Sequence, residues 1–164
     1  SLGYQIIYGL VNEREDSYCE RVVYPSVRSL ETNSPLRDFD IISFTIQYEQ
    51  DYFNVLEILR KAEIPLRRKD RTGNDPLIIA GGPCATANPL PLSDFIDVFV
   101  IGEAEVVLND FLDLYLDLKN NGRFNMNDLS PFLDIESLYI SEFKNKAKIN
   151  NLKKIKFIVG ITMI

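Results

Sequence analysis

Two short apolar runs, each ending abruptly in glycine, constrain this chain more than any other feature. Residues 76–83 read PLIIAGGP, and residues 98–105 read VFVIGEAE. An apolar run of this length is typical of a strand buried on both faces of a sheet. Glycine at its end lets the backbone turn sharply or lets a ligand approach closely. Because ligands of open α/β sheets bind outside the carboxyl ends of such strands, the two loops are candidates for the floor of a site.

Length and charge narrow the class of protein. A chain of 164 residues has the length of one ordinary domain, and its 46% hydrophobic content suffices for a core. The net charge is −6, and the basic residues are scattered, so we expect no nucleic-acid partner. The densest basic segment, residues 67–71, includes an aspartate, which favours a solvated loop over a phosphate contact.

The residues that usually bind metals or act as general bases are scarce. The chain has no histidine, which removes the commonest general base and the commonest metal ligand. Its two cysteines, Cys19 and Cys84, have no zinc or iron–sulfur spacing and are interpreted as reduced thiols. We recognise no signal peptide and no run long enough to span a bilayer, so we expect a cytoplasmic protein with no membrane partner.

Hydrophobic periodicity predicts an alternation of strands and helices. It predicts helices over residues 3–15, 50–63 and 103–118, the last ending before Gly122. It predicts strands over residues 18–24, 39–46, 77–80, 97–101, 137–140 and 156–164. Residues 83–91 contain three prolines and are predicted to be irregular, with a helical turn over residues 92–95. This order indicates an α/β fold: a three-layer, Rossmann-like or flavodoxin-like parallel sheet with helices on both faces.

One connection does not fit a simple parallel sheet. Residues 25–40 show no helical pattern, although a parallel crossover needs roughly a dozen residues and usually a helix. Either the strands on each side are not parallel neighbours, or a segment is absent from the sequence. We divide the chain into a Rossmann-like domain over residues 1–122 and a C-terminal extension or linker with short strands over residues 123–164.

Several segments, taken in order, resemble a known family. They are LGYQIIY (residues 2–8), ERVVYP (20–25), SLET (29–32), DFDIISF (38–44), YE (48–49), IP (64–65), DR (70–71), PLIIAGGP (76–83), NP (88–89) and GEAE (102–105). Together they resemble the N-terminal, cobalamin-binding-like domain of radical S-adenosylmethionine proteins described as Fe–S oxidoreductases. The resemblance covers about residues 2–115.

The resemblance implies a larger parent protein. Members of that family continue into a barrel that holds a [4Fe–4S] cluster on three closely spaced cysteines and binds S-adenosylmethionine; this chain has no such triplet. The resemblance implies an accessory domain that is not catalytic by itself and whose partner is the parent's own C-terminal barrel, with a homo-oligomer as another option. Relatives also carry a strand before LGYQ and further residues near Ser26 and Val27.

The same resemblance suggests cofactor-binding residues. Cobalamin domains place a histidine loop after the first strand, a Ser-x-Leu after a middle strand and a Gly-Gly after a later one. Ser43 matches the second motif with Thr45 in place of leucine, Gly81 and Gly82 match the third, and no histidine loop is present. We therefore expect no cofactor to bind this chain tightly, although cobalamin stays an open option for the parent. The candidate cofactor-binding residues are Ser43, Thr45, Gly81, Gly82, Pro83, Gly102 and Glu103.

Each candidate has a structural interpretation beside the functional one. Small polar residues in a strand often bond to backbone, and a Gly-Gly pair often makes only a tight turn. Glu103 and Glu105 fit the first turn of a helix, where acids interact favourably with the helix dipole. Two other functions stay open: a free-standing flavodoxin-like nucleotide or cofactor binder, which lacks a phosphate-loop motif here, and a purely structural interaction domain.

Overall fold

The computed structural model describes residues 2–148. It contains four α-helices in this range, namely α1 (Leu2–Asn12), α2 (Asp51–Lys61), α3 (Pro83–Ala87) and α4 (Ala104–Asn120). The four strands among these residues are β1 (Ile41–Thr45), β2 (Leu77–Gly81), β3 (Val98–Val100) and β4 (Leu138–Ile140). Short 3-10 turns lie at Leu36–Asp38, Arg68–Asp70, Leu90–Leu92 and Ser130–Asp134.

The strands form one sheet in the order β1-β2-β3-β4. β1, β2 and β3 are parallel, as the sequence predicted. In the observed register Thr45 lies opposite Gly81, and Ile79 lies opposite Val98. β4 joins the edge antiparallel to β3, a common addition to an otherwise parallel sheet. The predicted Rossmann-like or flavodoxin-like α/β fold is therefore confirmed.

Helices cover both faces of this sheet. One face, which we call the α1/α4 face, packs against Ile7 and Val11 of α1 and against a stripe of α4 that includes Phe111 and Tyr115. The opposite face, the α2 face, packs against Val55, Ile58 and Leu59. Because successive strand side chains alternate, each apolar side chain of the four strands packs into one of these two cores.

The side chains of strand β1 alternate in this way, but its two faces differ in polarity. Ile42 and Phe44 are buried in the core of the α2 face. Ile41 packs against the core of the α1/α4 face, where Ser43 and Thr45 follow at two-residue spacing. Two polar side chains therefore stand on a face that is otherwise lined by apolar residues.

Two expectations about local structure are corrected. Residues 18–24 do not form a strand within the described part of the chain, so their relation to β1 is not that of a parallel pair. Residues 83–91 were expected to be irregular, but Pro83 is the first residue of α3, a position that tolerates proline because its missing N–H has no helical partner. The helical turn expected over residues 92–95 is present, because the Ile96 N–H donates to the Leu92 carbonyl at 2.9 Å, and a 3-10 turn at Leu90–Leu92 precedes it.

Other expectations are confirmed or fall outside the described range. Gly122 has φ +66 just beyond α4, as expected for a glycine that ends a helix. Residues 156–164, expected as a strand, lie outside the described residues. Over residues 2–148, none of the helices is long and apolar enough to cross a bilayer.

Candidate functional site

The carboxyl ends of the three parallel strands lie at one edge of the sheet, where the sequence predicted a site. The Ile46 N–H donates to the Gly81 carbonyl at 2.8 Å, and the Cys84 N–H donates to the Ile46 carbonyl at 3.3 Å. The Gly102 N–H donates to the Thr86 hydroxyl at 3.0 Å. These bonds join the loops after β1, β2 and β3 into one connected edge, which we call the carboxyl edge.

The backbone around position 82 requires a glycine there. Its φ is +102, and a Cβ built on it would lie 2.6 Å from the Ile46 carbonyl oxygen. Gly81 differs, because a Cβ there would meet the Val100 side chain at an ordinary 3.7 Å. The Gly-Gly pair is thus explained by a close approach between two loops, and neither glycine leaves an open cradle for a ligand.

Gly102 and Glu103 lead from β3 into α4. Gly102 has φ +97, which turns the chain away from the strand. Glu103 takes the N-cap position with extended backbone, and Glu105 lies in the first turn, where a carboxylate favours the positive end of the helix dipole. This arrangement matches the structural interpretation of both acids.

A cavity of about 250 Å³ lies against β1 on the α1/α4 face. Its lining is mostly apolar and includes Ile7 and Val11 of α1, Leu108, Leu112 and Tyr115 of α4, Ile41 of β1, and part of residues 16–22. Of the seven predicted site residues, Ser43, Thr45 and Gly81 line this cavity. Gly82, Pro83, Gly102 and Glu103 lie at the carboxyl edge outside it. The structure therefore splits the predicted set into two groups.

Thr45 is the polar residue of the cavity whose hydrogen bonding is incomplete. Its residue is 6% exposed, and within the described chain its Oγ1 atom has no hydrogen-bond partner. Leaving a buried hydroxyl without a partner is unfavourable, because the group loses its hydrogen bonds to water. The hydroxyl therefore supplies an unused donor and acceptor beside the cavity.

The two thiols are poorly suited to bind a metal. Cys19 packs against the α1/α4 face, and Cys84 packs against the α2 face, so they lie on opposite sides of the sheet. Burial, together with the nearby Glu31 and Glu20 carboxylates, raises the pKa of Cys19 to about 12. Burial also raises the pKa of Cys84. Within the described residues no group of three or more potential ligands could hold a metal ion.

The carboxyl edge also carries exposed apolar side chains that the sequence analysis did not identify. Tyr48 lies in the loop after β1, Phe53 and Val106 lie in the first turns of α2 and α4, and Leu90 follows α3. All four side chains are exposed, and Phe53 reaches 77%. Phe53 could have been recognised from its position off the apolar stripe of α2, but its proximity to the other strand ends requires the sheet topology.

Comparisons with known proteins agree with this architecture. A family model described as the N-terminal region of radical SAM proteins matches residues 3–141. An uncharacterised protein of Methanocaldococcus jannaschii is 41% identical over 78 residues, which is 46% of this chain and 16% of that protein. The chain thus corresponds to a small part of that relative's length. No solved structure matches the chain at a significant level. Because the family model spans most of its length, this chain belongs to the family of radical S-adenosylmethionine protein N-terminal regions.

Proposed function

We propose that this chain is the accessory N-terminal domain of a cytoplasmic radical S-adenosylmethionine Fe–S oxidoreductase. It has the architecture of a cobalamin-binding domain, performs no catalysis by itself, and packs its carboxyl edge against the catalytic barrel of the parent protein. Family membership supports the first part of this proposal. The division of the chain after Gly122 stays part of the same proposal, with residues 123–164 leading toward the barrel.

The observation that carries the proposed packing is the exposed apolar surface of the carboxyl edge. Tyr48 follows β1, Phe53 and Val106 lie in the first turns of α2 and α4, and Leu90 follows the short helix α3 after β2; none of the four is buried. Apolar side chains that gather on one side of a domain mark a surface that another protein surface covers. The hydrogen bonds among the strand-end loops hold the backbone beneath them in place.

In this proposal the redox chemistry belongs to the barrel. A [4Fe–4S] cluster needs several thiolates, and this chain has two cysteines on opposite faces of the sheet. Their raised pKa values keep both thiols protonated near neutral pH. The parent's cluster and its S-adenosylmethionine would therefore be bound by residues outside this chain.

The residues present do not fit tight binding of cobalamin. The chain has no histidine to serve as a lower ligand. The Gly-Gly turn is closed by the Ile46 carbonyl, so it offers no cradle for a ligand. The cavity with Thr45 is the remaining place where a ligand tail would contact this domain. We propose that the domain keeps the cobalamin-binding architecture without tight binding of the cofactor.

The packing is tested with the parent's barrel expressed as a separate chain. We expect a direct complex by calorimetry, and the Phe53→Ser variant should weaken it at least tenfold because an exposed apolar contact is lost. The Phe143→Ser variant is the matched control, because Phe143 is also exposed but follows β4 at the opposite edge of the sheet. Equal losses in the two variants, or no complex at all, would argue against the proposal.

The cofactor expectations need separate measurements on this chain. Titration with hydroxocobalamin, followed by the visible spectrum, should show no tight and saturable binding. Anaerobic reconstitution with iron and sulfide should give no stoichiometric, cysteine-dependent cluster. A saturable spectral change that the Thr45→Val variant abolishes would refute the first expectation, and a cluster lost in the Cys19→Ala or Cys84→Ala variant would refute the second.

A further inference from the structure

Strand β4 is an edge strand, because β3 pairs with one of its sides and no strand within residues 2–148 pairs with the other. Its side chains are nevertheless buried: Leu138 and Ile140 belong to the core of the α1/α4 face, and Tyr139 belongs to the core of the α2 face. An apolar edge strand is a template on which a strand of another chain can pair. The outer side of β4 therefore needs a cover if the chain is to stay monomeric.

The backbone groups on the outer side of β4 can be identified from the bonds on its inner side. The Ser137 carbonyl and the Ser141 N–H both bond to backbone groups that flank β3. Backbone groups alternate in direction along a strand, so those of Leu138 and Ile140 point away from β3. The Leu138 carbonyl and the Ile140 N–H are therefore the groups that an added strand would use.

A single side chain, that of Asn145, satisfies both of these groups. The Ile140 N–H donates to Asn145 Oδ1 at 2.7 Å, and Asn145 Nδ2 donates to the Leu138 carbonyl at 2.9 Å. Only this orientation of the amide places its donor against an oxygen and its acceptor against an N–H. Because a side-chain amide offers the same donor and acceptor as a peptide group, Asn145 takes the place of the backbone of a neighbouring strand.

A tight turn after β4 brings Asn145 back to the strand. The Phe143 N–H and the Lys144 N–H both donate to the Ile140 carbonyl at 3.0 Å, which reverses the chain. Lys144 has φ +49, in the left-handed region that side chains other than glycine rarely adopt. Such a conformation persists where the surrounding bonds hold it, and the two bonds of Asn145 follow directly.

Residues 143–148, which we call the edge cover, continue along the outer side of β4. The Lys148 N–H donates to the Glu136 carbonyl at 2.8 Å, and its Nζ lies 3.0 Å from the Glu136 carboxylate. The cover carries three exposed lysines, Lys144, Lys146 and Lys148. Lysine along a sheet edge opposes pairing with another chain, because like charges of the two chains would meet. The bonds and the charge of the edge cover thus both act against association at β4.

We propose that the outer side of β4 is a pairing surface for a second copy of this chain, and that the Asn145 amide keeps this surface closed in the monomer. A second copy fits because a two-fold axis would place the same apolar strand on both sides of the contact. If Asn145 is removed, the Leu138 carbonyl and the Ile140 N–H regain partners by pairing with the β4 strand of the other copy. Because β4 has three residues, this pairing depends on protein concentration. The surface does not include the exposed residues of the carboxyl edge.

Sedimentation of the full chain over a range of concentrations tests the proposal. The Asn145→Ala variant should form a dimer with an association constant at least about tenfold above that of the wild type, because two backbone groups then gain partners only by pairing. The Asn127→Ala variant changes an exposed asparagine in the loop after α4, and as the matched control it should behave as wild type. Adding Phe53→Ser to Asn145→Ala should leave the dimer intact. A dimer that this second change abolishes would use the carboxyl edge and would overturn the proposal, as would equal association of wild type and Asn145→Ala.

Hydrogen exchange of the Ile140 amide provides a measurement on the wild type itself, which does not depend on how well the variant folds. In dilute wild type this amide should exchange at least about 100-fold more slowly than an unstructured amide, because it bonds to Asn145. In dilute Asn145→Ala it should exchange at least about tenfold faster than in wild type, and raising the protein concentration should restore its protection. An Ile140 amide that is unprotected in wild type, or one that stays unprotected in the concentrated variant, would overturn the proposal.

Discussion

Arg71 and Asp97 form a buried ion pair in which the guanidinium Nη2 lies 3.3 Å from the carboxylate Oδ1, with side chains 0% and 4% exposed. Arg71 also donates to the Pro65, Leu66 and Phe95 carbonyls. The second Asp97 oxygen accepts the Ile78 N–H at 2.9 Å. The pair thus fastens the loop between α2 and β2 to the beginning of β3.

Removing one member of this pair should strongly destabilise the fold. The Arg71→Ala variant leaves a buried carboxylate and several carbonyls without their donor, and we expect a loss of about 3–5 kcal/mol in the free energy of unfolding. Urea denaturation measures it. The Arg123→Ala variant removes an exposed pair with Asp117 and should lose less than about 1 kcal/mol. Equal losses would show that the buried pair has no special role.

The two adjacent glycines should respond differently to alanine. Gly82→Ala should destabilise by about 1–3 kcal/mol or more, because it combines positive φ with a clash against the Ile46 carbonyl. Gly81→Ala should change stability by less than about 1 kcal/mol, because its Cβ meets Val100 at an ordinary contact distance. Thermal or urea unfolding distinguishes them. A larger effect at Gly81 would contradict this account of the turn.

The Thr45 hydroxyl should contribute little to stability. Thr45→Val keeps the shape and removes a buried group that lacks a partner, so we expect no loss, or a gain of up to about 1 kcal/mol. Ser141 is the control, because its equally buried hydroxyl donates to the Ile96 carbonyl at 2.6 Å. Ser141→Ala should lose about 1–3 kcal/mol by leaving that carbonyl without its donor. A clear loss in Thr45→Val would reveal a partner for the hydroxyl.

The stability of the fold should fall at alkaline pH, in part through Cys19. Its pKa is about 12 in the folded chain, chiefly because it is buried, whereas an unfolded cysteine titrates near about 8.5. The unfolded state therefore binds fewer protons in this window, and the free energy of unfolding decreases as pH rises from about 8.5 toward 12. Urea denaturation across this range should give a shallower decrease for Cys19→Ala. An equal decrease in the free energy of unfolding with pH in the variant and the wild type would show that Cys19 is not the cause.

Local patterning was sufficient to predict the parallel strands and the long helices, because each strand is a short, largely apolar run and each helix carries apolar residues at helical spacing. It failed for residues 18–24, whose apolar composition is that of a strand but whose pairing depends on a neighbour far away in sequence. Arg71 shows the same limit. The run RRKDR was expected to be solvated, yet Arg71 is fully buried because Asp97, 26 positions later, accepts its charge.

The candidate site was predicted in part for a similar reason. The strand ends could be located from glycine after apolar runs, and parallel pairing then brings them to one edge. The cavity beside β1 could not be predicted from the sequence. Its walls come from α1 and α4, and tertiary packing places these two helices on the same face. The role of Gly82 could not be predicted either, because it depends on a contact with Ile46, which lies about 36 positions earlier in the sequence.

The hydrogen bonds that join Ile46, Gly81, Cys84 and Gly102 have a consequence for docking. Three loops that are fastened to one another before contact have little conformational entropy left to lose when a second surface arrives. In the complex that we propose with the catalytic barrel, the free energy of each apolar contact at Tyr48 or Phe53 would then hold the complex together and would not be spent on ordering the loops. A domain built this way would associate as a rigid body, and its orientation on the partner would be set by the shape of the sheet.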